Sequence, residues 1–148
     1  MKISGTHTLP LPRERAYRAL QDPDLLARCI PGGEGLQPVA EGEYAMKMKM
    51  ALAAFTGQFE GKVRISEPNP PASFKLSVEG KGKVGFMKGE GLLTLTETGE
   101  STQVSFDGEV HVGGTIAAVG SRLIDSTSRM MIKRFFDRLA EEAGSKPV

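Results

Sequence analysis

The sequence predicts an α+β fold in which a strongly curved antiparallel sheet wraps around one long C-terminal helix. From about residue 34 to residue 112, apolar and polar residues alternate with a period of two, which is typical of strands with one buried face. After Gly113 the apolar residues recur at steps of three and four, which is typical of an amphipathic helix. A sheet and a helix that each have one apolar face bury both faces by packing together.

The length and composition of the chain favour one domain and exclude several classes of protein. The 148 residues suffice for a single core, and we assign residues 1–141 to one domain and 142–148 to a frayed tail. Charged residues make up 25% of the chain and the formal net charge is +1, so no basic footprint indicates a nucleic-acid partner. No apolar run reaches the roughly 18 residues of a membrane span. The first ten residues lack the apolar region of a signal peptide, which predicts a cytoplasmic protein.

Two short helices are predicted between the first strand and the rest of the sheet. The stretch KISGTHTL alternates and predicts the first strand. Pro12 then begins one short helix, and Asp22 and Pro23 supply the N-cap and the first position of a second. Because Pro31 disfavours helical geometry at the residue before it, the second helix is expected to end by Ile30.

Periodicity also predicts which faces of the remaining elements point inward. About six strands follow the short helices, and one of their stretches, KGKVGFMKGEGLLTLTE, carries enough glycine to predict a bend. Residues 115–141 predict one continuous helix. Its inward stripe consists of Ile116, Leu123, Ile124, Thr127, Met131 and Phe135.

No set of side chains suited to catalysis or metal binding emerges. Cys29 is the only cysteine and would lie at the C-terminal end of a helix, whose dipole disfavours a thiolate, so we predict a buried, unreactive thiol. His7 and His111 lie on opposite faces of their strands, which argues against a catalytic pair. For His7 a place in the core is favoured over a hydrogen bond to a ligand. We therefore predict no catalytic residue, no metal and no covalent cofactor.

A cavity between sheet and helix is the functional feature that the sequence predicts. Glycines at the inward positions 61, 80, 89, 91 and 108 leave out side chains where the helix should pack. The three methionines at 46, 48 and 50 are either ordinary core or a deformable apolar wall. The predicted ligand-binding wall consists of Tyr44, Met46, Met48, Met50, Phe59, Phe74, Leu76, Phe86, Met87, Phe106, Leu123, Ile124 and Met131.

Positive side chains are numerous on the outer face of the predicted sheet. They are Lys47, Lys49, Lys62, Arg64 and Lys75, and they are interrupted by Glu60 and Glu79. Most faces of this kind are only solvated. The alternative is a docking face for an acidic partner or for anionic lipid headgroups.

Five stretches of the chain carry a family resemblance. They are MKISGTHTLPLPRERAYRAL, DPDLLARCIPG, FTGQFEGKVRI, KGKVGFMKGEGLLTL and VHVGGTIAAVGSRLID. In order and spacing they resemble the CoxG family of carbon monoxide dehydrogenase subunits, within the START-like (SRPBCC) helix-grip superfamily. The resemblance covers residues 1–140. It implies a helix-grip fold with a ligand cavity, and a partner that is a molybdenum hydroxylase of the carbon monoxide dehydrogenase type.

The resemblance and the predicted cavity lead to three hypotheses. The first is a non-enzymatic carrier of an apolar ligand, a prenylated quinone such as menaquinone or another lipid. This carrier would link the hydroxylase to the membrane or its quinone pool, and it would be cytoplasmic with peripheral contact at the inner face of the cell membrane. The second is a START-like enzyme of the aromatase/cyclase or hydrolase type, which would need His7 with Tyr17 or Tyr44 inside the cavity. The third is an assembly factor for the hydroxylase, with a filled core and no ligand.

Overall fold

The computed structural model describes residues 1–52 and 55–144 as one curved seven-stranded antiparallel sheet with three α-helices. The strand order is β1-β7-β6-β5-β4-β3-β2. The elements in chain order are β1 (Lys2–Leu9), α1 (Arg13–Ala19), α2 (Pro23–Cys29), β2 (Gln37–Ala40), β3 (Glu43–Leu52), β4 (Phe55–Asn69), β5 (Ser73–Gly82), β6 (Gly85–Thr98), β7 (Ser101–Gly113), a 3-10 helix (Gly114–Val119) and α3 (Ser121–Gly144). The predicted order of elements and the predicted fold class are confirmed.

The boundaries of α2 follow the predicted signals. The Asp22 carboxylate accepts hydrogen bonds from the backbone N–H groups of Asp24 and Leu25, at 3.0 and 3.4 Å. Pro23 occupies the first turn, where its missing N–H costs nothing. At the other end, Ile30 is extended, with φ −71° and ψ 121°, because Pro31 follows it.

The C-terminal helix is shorter at its start than predicted. The prediction of one continuous helix over 115–141 is wrong, because Gly120 has φ 96° and separates the 3-10 helix from α3. A left-handed φ of this kind strains residues that carry a Cβ atom. The backbone N–H of Ile116 also donates to the Val84 carbonyl oxygen at 2.9 Å, which ties the 3-10 helix to the β5–β6 turn. The tail predicted for 142–148 begins inside α3, and residues 145–148 lie outside the described part.

The interior formed by the described residues consists of two apolar clusters. The first is enclosed by α1, α2 and the C-terminal half of α3, and its members include Leu9, Tyr17, Leu20, Cys29, Phe74, Leu93, Val104, Phe136 and Leu139. The second contains Met46, Met48, Met50, Phe59, Val63, Met87, Ile116 and Ile124. The three methionines of β3 therefore belong to the packed core. Leu76 is partly buried against both clusters.

Candidate functional site

A cavity of about 240 Å³, partly open to solvent, lies between α3 and the middle of the sheet, where the two clusters meet. Its sheet side is formed mainly by β5, β6 and β7, with one residue each from β1 and β4, and its other side by α3 together with the end of α2. The apolar and glycine residues that line it are Ile3, Leu26, Ile30, Pro31, Val63, Leu76, Val78, Met87, Gly89, Gly91, Leu93, Phe106, Gly108, Val110, Met131, Ile132, Phe135 and Phe136. Ser128 also lines it. The turn that follows Cys29 thus contributes to the cavity wall through Ile30 and Pro31.

Gly89 is the inward glycine that leaves volume unfilled. A Cβ atom built on Gly89 would meet only the Glu109 carbonyl oxygen and Val110 Cγ2, each at 3.9 Å. Gly91 and Gly108 differ, because they face each other across the β6–β7 ladder. A Cβ atom on Gly108 would lie 2.8 Å from Gly91 Cα and would clash with the Glu90 carbonyl oxygen. These two glycines allow close approach of backbone rather than open space.

Gly61 and Gly80 also leave no cavity, because a methionine fills the space above them. A Cβ atom on Gly61 would lie 2.7 Å from Met48 Cε, and one on Gly80 would lie 3.2 Å from the same atom. The two glycines are partners across the β4–β5 ladder. Three of the five predicted glycines, Gly89, Gly91 and Gly108, therefore line the cavity, but only at Gly89 would a Cβ atom meet open space. The prediction is wrong at Gly61 and Gly80, which do not line this cavity.

The predicted wall residues divide into three groups. Those that line the cavity are Leu76, Met87, Phe106 and Met131. Those that lie in the clusters away from it are Met46, Met48, Met50, Phe59, Phe74 and Ile124, and Tyr44 is half-buried and also outside the lining. Those that are exposed are Phe86, at 46%, and Leu123, at 40%.

The positions of Phe86 and Leu123 have physical causes. Phe86 and Met87 are adjacent in β6, and successive strand residues point to opposite faces, so only one of them can point inward. Met87 does, and the ring of Phe86 covers Gly113, its partner on β7, from the outside. Leu123 lies in the first turn of α3, and the buried side of that turn is taken by Ile124.

Ser128, on α3, is a lining residue that the sequence pattern did not predict. It is 4% exposed, and its Oγ has no hydrogen-bond partner within the described structure. The predicted stripe passed through Thr127 instead. Helical spacing from Ile124 to Ser128 to Ile132 was a signal that could have located it, but a serine at a core position is not distinguished from a surface serine by periodicity.

Of the titratable groups near the cavity, Cys29 is a buried core residue and His7 is half-buried. Burial, with a smaller contribution from the Glu142 carboxylate, raises the pKa of the Cys29 thiol to about 11, against the opposing effects of Arg28 and Arg138. The thiol is 1% exposed. The His7 ring stacks on Phe136 with centroids 4.6 Å apart and on Phe106 at 5.9 Å. Burial lowers the pKa of His7, Asp137 opposes this, and Lys133 adds to it.

Neither tyrosine of the enzyme hypothesis points a free hydroxyl into the cavity. The Tyr17 hydroxyl donates to the Ser73 carbonyl oxygen at 3.1 Å, and Tyr44 is not among the lining residues. Across residues 1–52 and 55–144, no three His, Cys, Asp or Glu side chains lie close enough together to hold a metal ion.

A second, larger concavity of about 840 Å³ lies on the outer face of β3 to β6. Its charges alternate across the ladders, since Lys47 and Lys81 flank Glu60, and Lys62 and Lys88 flank Glu79. Lys88 Nζ lies 3.7 Å from Glu79 Oε1. These ladder positions carry four lysines and two glutamates, so the surface keeps an excess of positive charge. Both interpretations of the outer face, a solvated surface and a docking surface for an acidic partner or anionic headgroups, therefore stand.

Comparison with known proteins identifies the family. The profile of the CoxG family of carbon monoxide dehydrogenase subunits matches residues 5–144. The chain belongs to the CoxG family. A search of curated proteins gave no match. Among the helices of the described residues, none has the length and apolar character needed to cross a bilayer.

Solved structures agree with this assignment of a CoxG chain to the START-like fold. A conserved protein from Geobacillus kaustophilus is 30% identical over 97% of this chain and 95% of that chain, with a TM-score of 0.93. A START superfamily protein from Mycobacterium smegmatis, 12% identical over 97% of both chains, has a TM-score of 0.74. Ara h 8.0201, 13% identical over 99% of both chains, has a TM-score of 0.75. The last two comparisons show similarity of fold alone.

Proposed function

We propose that this CoxG protein is a non-catalytic carrier that binds an apolar ring compound in the cavity beneath α3. A prenylated quinone is the ligand that we favour, and a molybdenum hydroxylase of the carbon monoxide dehydrogenase type is the partner. The observation that carries the proposal is the cavity of about 240 Å³ bounded by apolar side chains and by the bare backbone of Gly89. The family description supports the class of partner.

The apolar character of the cavity supports a ligand over a filled-core assembly factor. Apolar and glycine residues make up most of its lining, and because the cavity is partly open to solvent, these residues face water when it is empty. An apolar occupant would remove this surface from water and would add dispersion contacts.

The size of the cavity restricts what part of a ligand it holds. Typical ligand pockets have volumes of about 300–1,000 Å³, and 240 Å³ lies just below that range. A quinone ring with its methyl groups fits this space better than a long isoprenoid tail. A tail would therefore have to extend beyond the cavity or displace the neighbouring methionines, whose unbranched side chains repack easily.

The surface that meets the membrane, in this proposal, is the segment 117–123. Val119 and Leu123 are 45% and 40% exposed, and Arg122 lies between them in sequence. No acidic residue occurs from residue 114 to residue 124. An exposed apolar pair beside a cation suits the interface of an anionic membrane, where a lipid-soluble quinone would be collected.

The enzyme hypothesis has less support from the geometry. Acid–base chemistry requires a titratable side chain within hydrogen-bond reach of the reacting atom. The imidazole of His7 stacks on the rings of Phe106 and Phe136. The Tyr17 hydroxyl already donates its hydrogen bond to a backbone carbonyl oxygen. The carrier role requires only a cavity and a path by which the ligand enters and leaves it.

A cavity-filling substitution tests the proposal. Gly89→Leu would place an isobutyl group in open space, and Thr96→Leu would add the same side chain to the outer face of the same strand. We expect lipid extracts of the native protein and of Thr96→Leu to contain quinone by mass spectrometry, and extracts of Gly89→Leu to contain none. The ligand-free Gly89→Leu protein should melt at or above the native temperature. Absence of any apolar ligand from the native protein, together with a lower melting temperature for Gly89→Leu, would instead support the assembly factor.

A further inference from the structure

The hydroxyl of Ser128 is the one buried polar side chain among the described residues that line the cavity. The charged residues at its edge, Lys88, Glu90 and Glu109, have exposed side chains on the outer face of the sheet. Ser128 is 4% exposed and its Oγ has no partner among the described atoms. Buried hydroxyl groups are normally paired, so an unpaired one that borders a cavity indicates that something else supplies the partner.

Other hydroxyl groups of the same protein are paired. Thr102 Oγ1 donates to the Leu11 carbonyl oxygen at 2.7 Å, and the Tyr17 hydroxyl donates to the Ser73 carbonyl oxygen at 3.1 Å. Ser126, two residues before Ser128 on α3, donates back to the Leu123 carbonyl oxygen at 3.2 Å. Helical serines commonly make this local bond. Ser128 makes none, which leaves its proton available to a ligand.

We infer that Ser128 is the hydrogen-bonding anchor of the cavity and that it selects planar ring ligands with a carbonyl oxygen. This inference rests on the proposed carrier function. The phenyl rings of Phe106, Phe135 and Phe136 belong to the same wall and favour a flat aromatic or quinonoid ring. An apolar wall with a single donor discriminates against hydrocarbons, because a bound hydrocarbon leaves the hydroxyl unpaired, whereas a carbonyl group pairs with it.

A matched pair of ligands tests the inference. The probes are 2,3-dimethyl-1,4-naphthoquinone and 2,3-dimethylnaphthalene, which differ by the two carbonyl oxygens and have no site for addition of a thiol. The proteins are the native form, Ser128→Ala and Ser126→Ala, the last being a serine control on the same helix. We expect Ser128→Ala to lower the affinity for the quinone by about threefold to tenfold in equilibrium dialysis. The affinity for the hydrocarbon should stay unchanged or rise. Ser126→Ala should change neither affinity.

Infrared spectroscopy of the bound quinone gives a readout that a merely structural role would not change. In the native protein one carbonyl stretch should shift to lower frequency, and this shift should be absent from Ser128→Ala. Equal weakening of both probes, or an unchanged carbonyl frequency, would overturn the anchor and leave the carrier function intact. Failure of both probes to bind the native protein would overturn the carrier function and the anchor together.

Discussion

The ring of Phe106 lies over Gly5, its partner across the β1–β7 ladder. A Cβ atom on Gly5 would come within 2.9 Å of ring atoms Cε1 and Cζ. Phe106 also lines the cavity. Because Gly5 has no side chain, the ring can lie over Gly5 and does not extend further into the cavity.

Gly5→Ala should therefore weaken ligand binding without unfolding the protein. The added methyl group displaces the ring toward the cavity, and such overpacking costs about 1–3 kcal/mol of stability at most positions. Binding of the naphthoquinone by equilibrium dialysis and thermal melting would measure the two effects. The double variant Gly5→Ala/Phe106→Leu should regain affinity relative to Gly5→Ala, since the smaller side chain no longer meets the methyl group. Unaltered quinone affinity in Gly5→Ala would contradict this account.

Alanine at two neighbouring inward glycines should have opposite effects. Gly108→Ala should lower the free energy of unfolding by about 1–3 kcal/mol, because its Cβ atom meets the carbonyl oxygen of Glu90 on the adjacent strand. Gly89→Ala should raise it by up to about 1 kcal/mol, because the methyl group enters open space and restricts the unfolded chain. Urea denaturation measures both. Similar destabilisation of the two variants would show that Gly89 does not border open space.

Leu123→Asp should leave folding intact and reduce binding to anionic membranes. Leu123 is 40% exposed, and substitutions at exposed sites change stability by about 0.5 kcal/mol or less. Phe136→Asp is the contrasting change, because Phe136 is 4% exposed and a buried, unpaired carboxylate should unfold the domain. Sedimentation with phosphatidylglycerol vesicles measures the membrane contact. If folded Leu123→Asp bound vesicles as well as the native protein does, segment 117–123 would not be the surface that contacts the membrane.

Cys29 should be unreactive at neutral pH and should make folding sensitive to alkaline pH. Its folded pKa of about 11 lies above the ordinary value of 9.0, so the folded state holds the proton more tightly than the unfolded state. The resulting stability is complete below pH 9 and is lost as the pH rises toward 11. The free energy of unfolding should thus fall more steeply with alkaline pH in the native protein than in Cys29→Ala. Rapid alkylation of the folded protein by iodoacetamide at neutral pH would argue against a buried thiol.

The fold could be predicted from the sequence because its signals are local. Alternation over β3 to β7 depends only on successive side chains pointing to opposite faces, and the prolines at 23 and 31 act on their immediate neighbours. The family resemblance added the superfamily, and the structural comparisons agree with it.

The cavity wall could be predicted only in part, because it depends on contacts between residues far apart in the chain. The prediction that Met48 points inward was correct. Whether an inward side chain packs into the core or lines a cavity depends on the neighbouring strands, and here Met48 packs over the glycines of β4 and β5. Ile30 and Pro31 reach the cavity only because α2 packs near α3, an arrangement to which the Arg28–Glu142 ion pair at 3.5 Å contributes. The orientation of Ser128 toward the cavity depends on the rotation of α3 about its axis. Because Gly120 ends the 3-10 helix, this rotation does not follow from the periodicity of the residues before it.

The division of the interior into two clusters has a consequence for cooperativity. A core that is interrupted in the middle couples its two sides weakly, so regions on either side can open at different free energies. A ligand between the two clusters would contact both of them, so that the two sides of the core would open together in one cooperative step. Amide hydrogen exchange in β3 and β4 would then slow on loading together with exchange in α1 and α2. Under the carrier function proposed above, rigidity alone would mark the loaded state for a partner, without contact with the ligand itself.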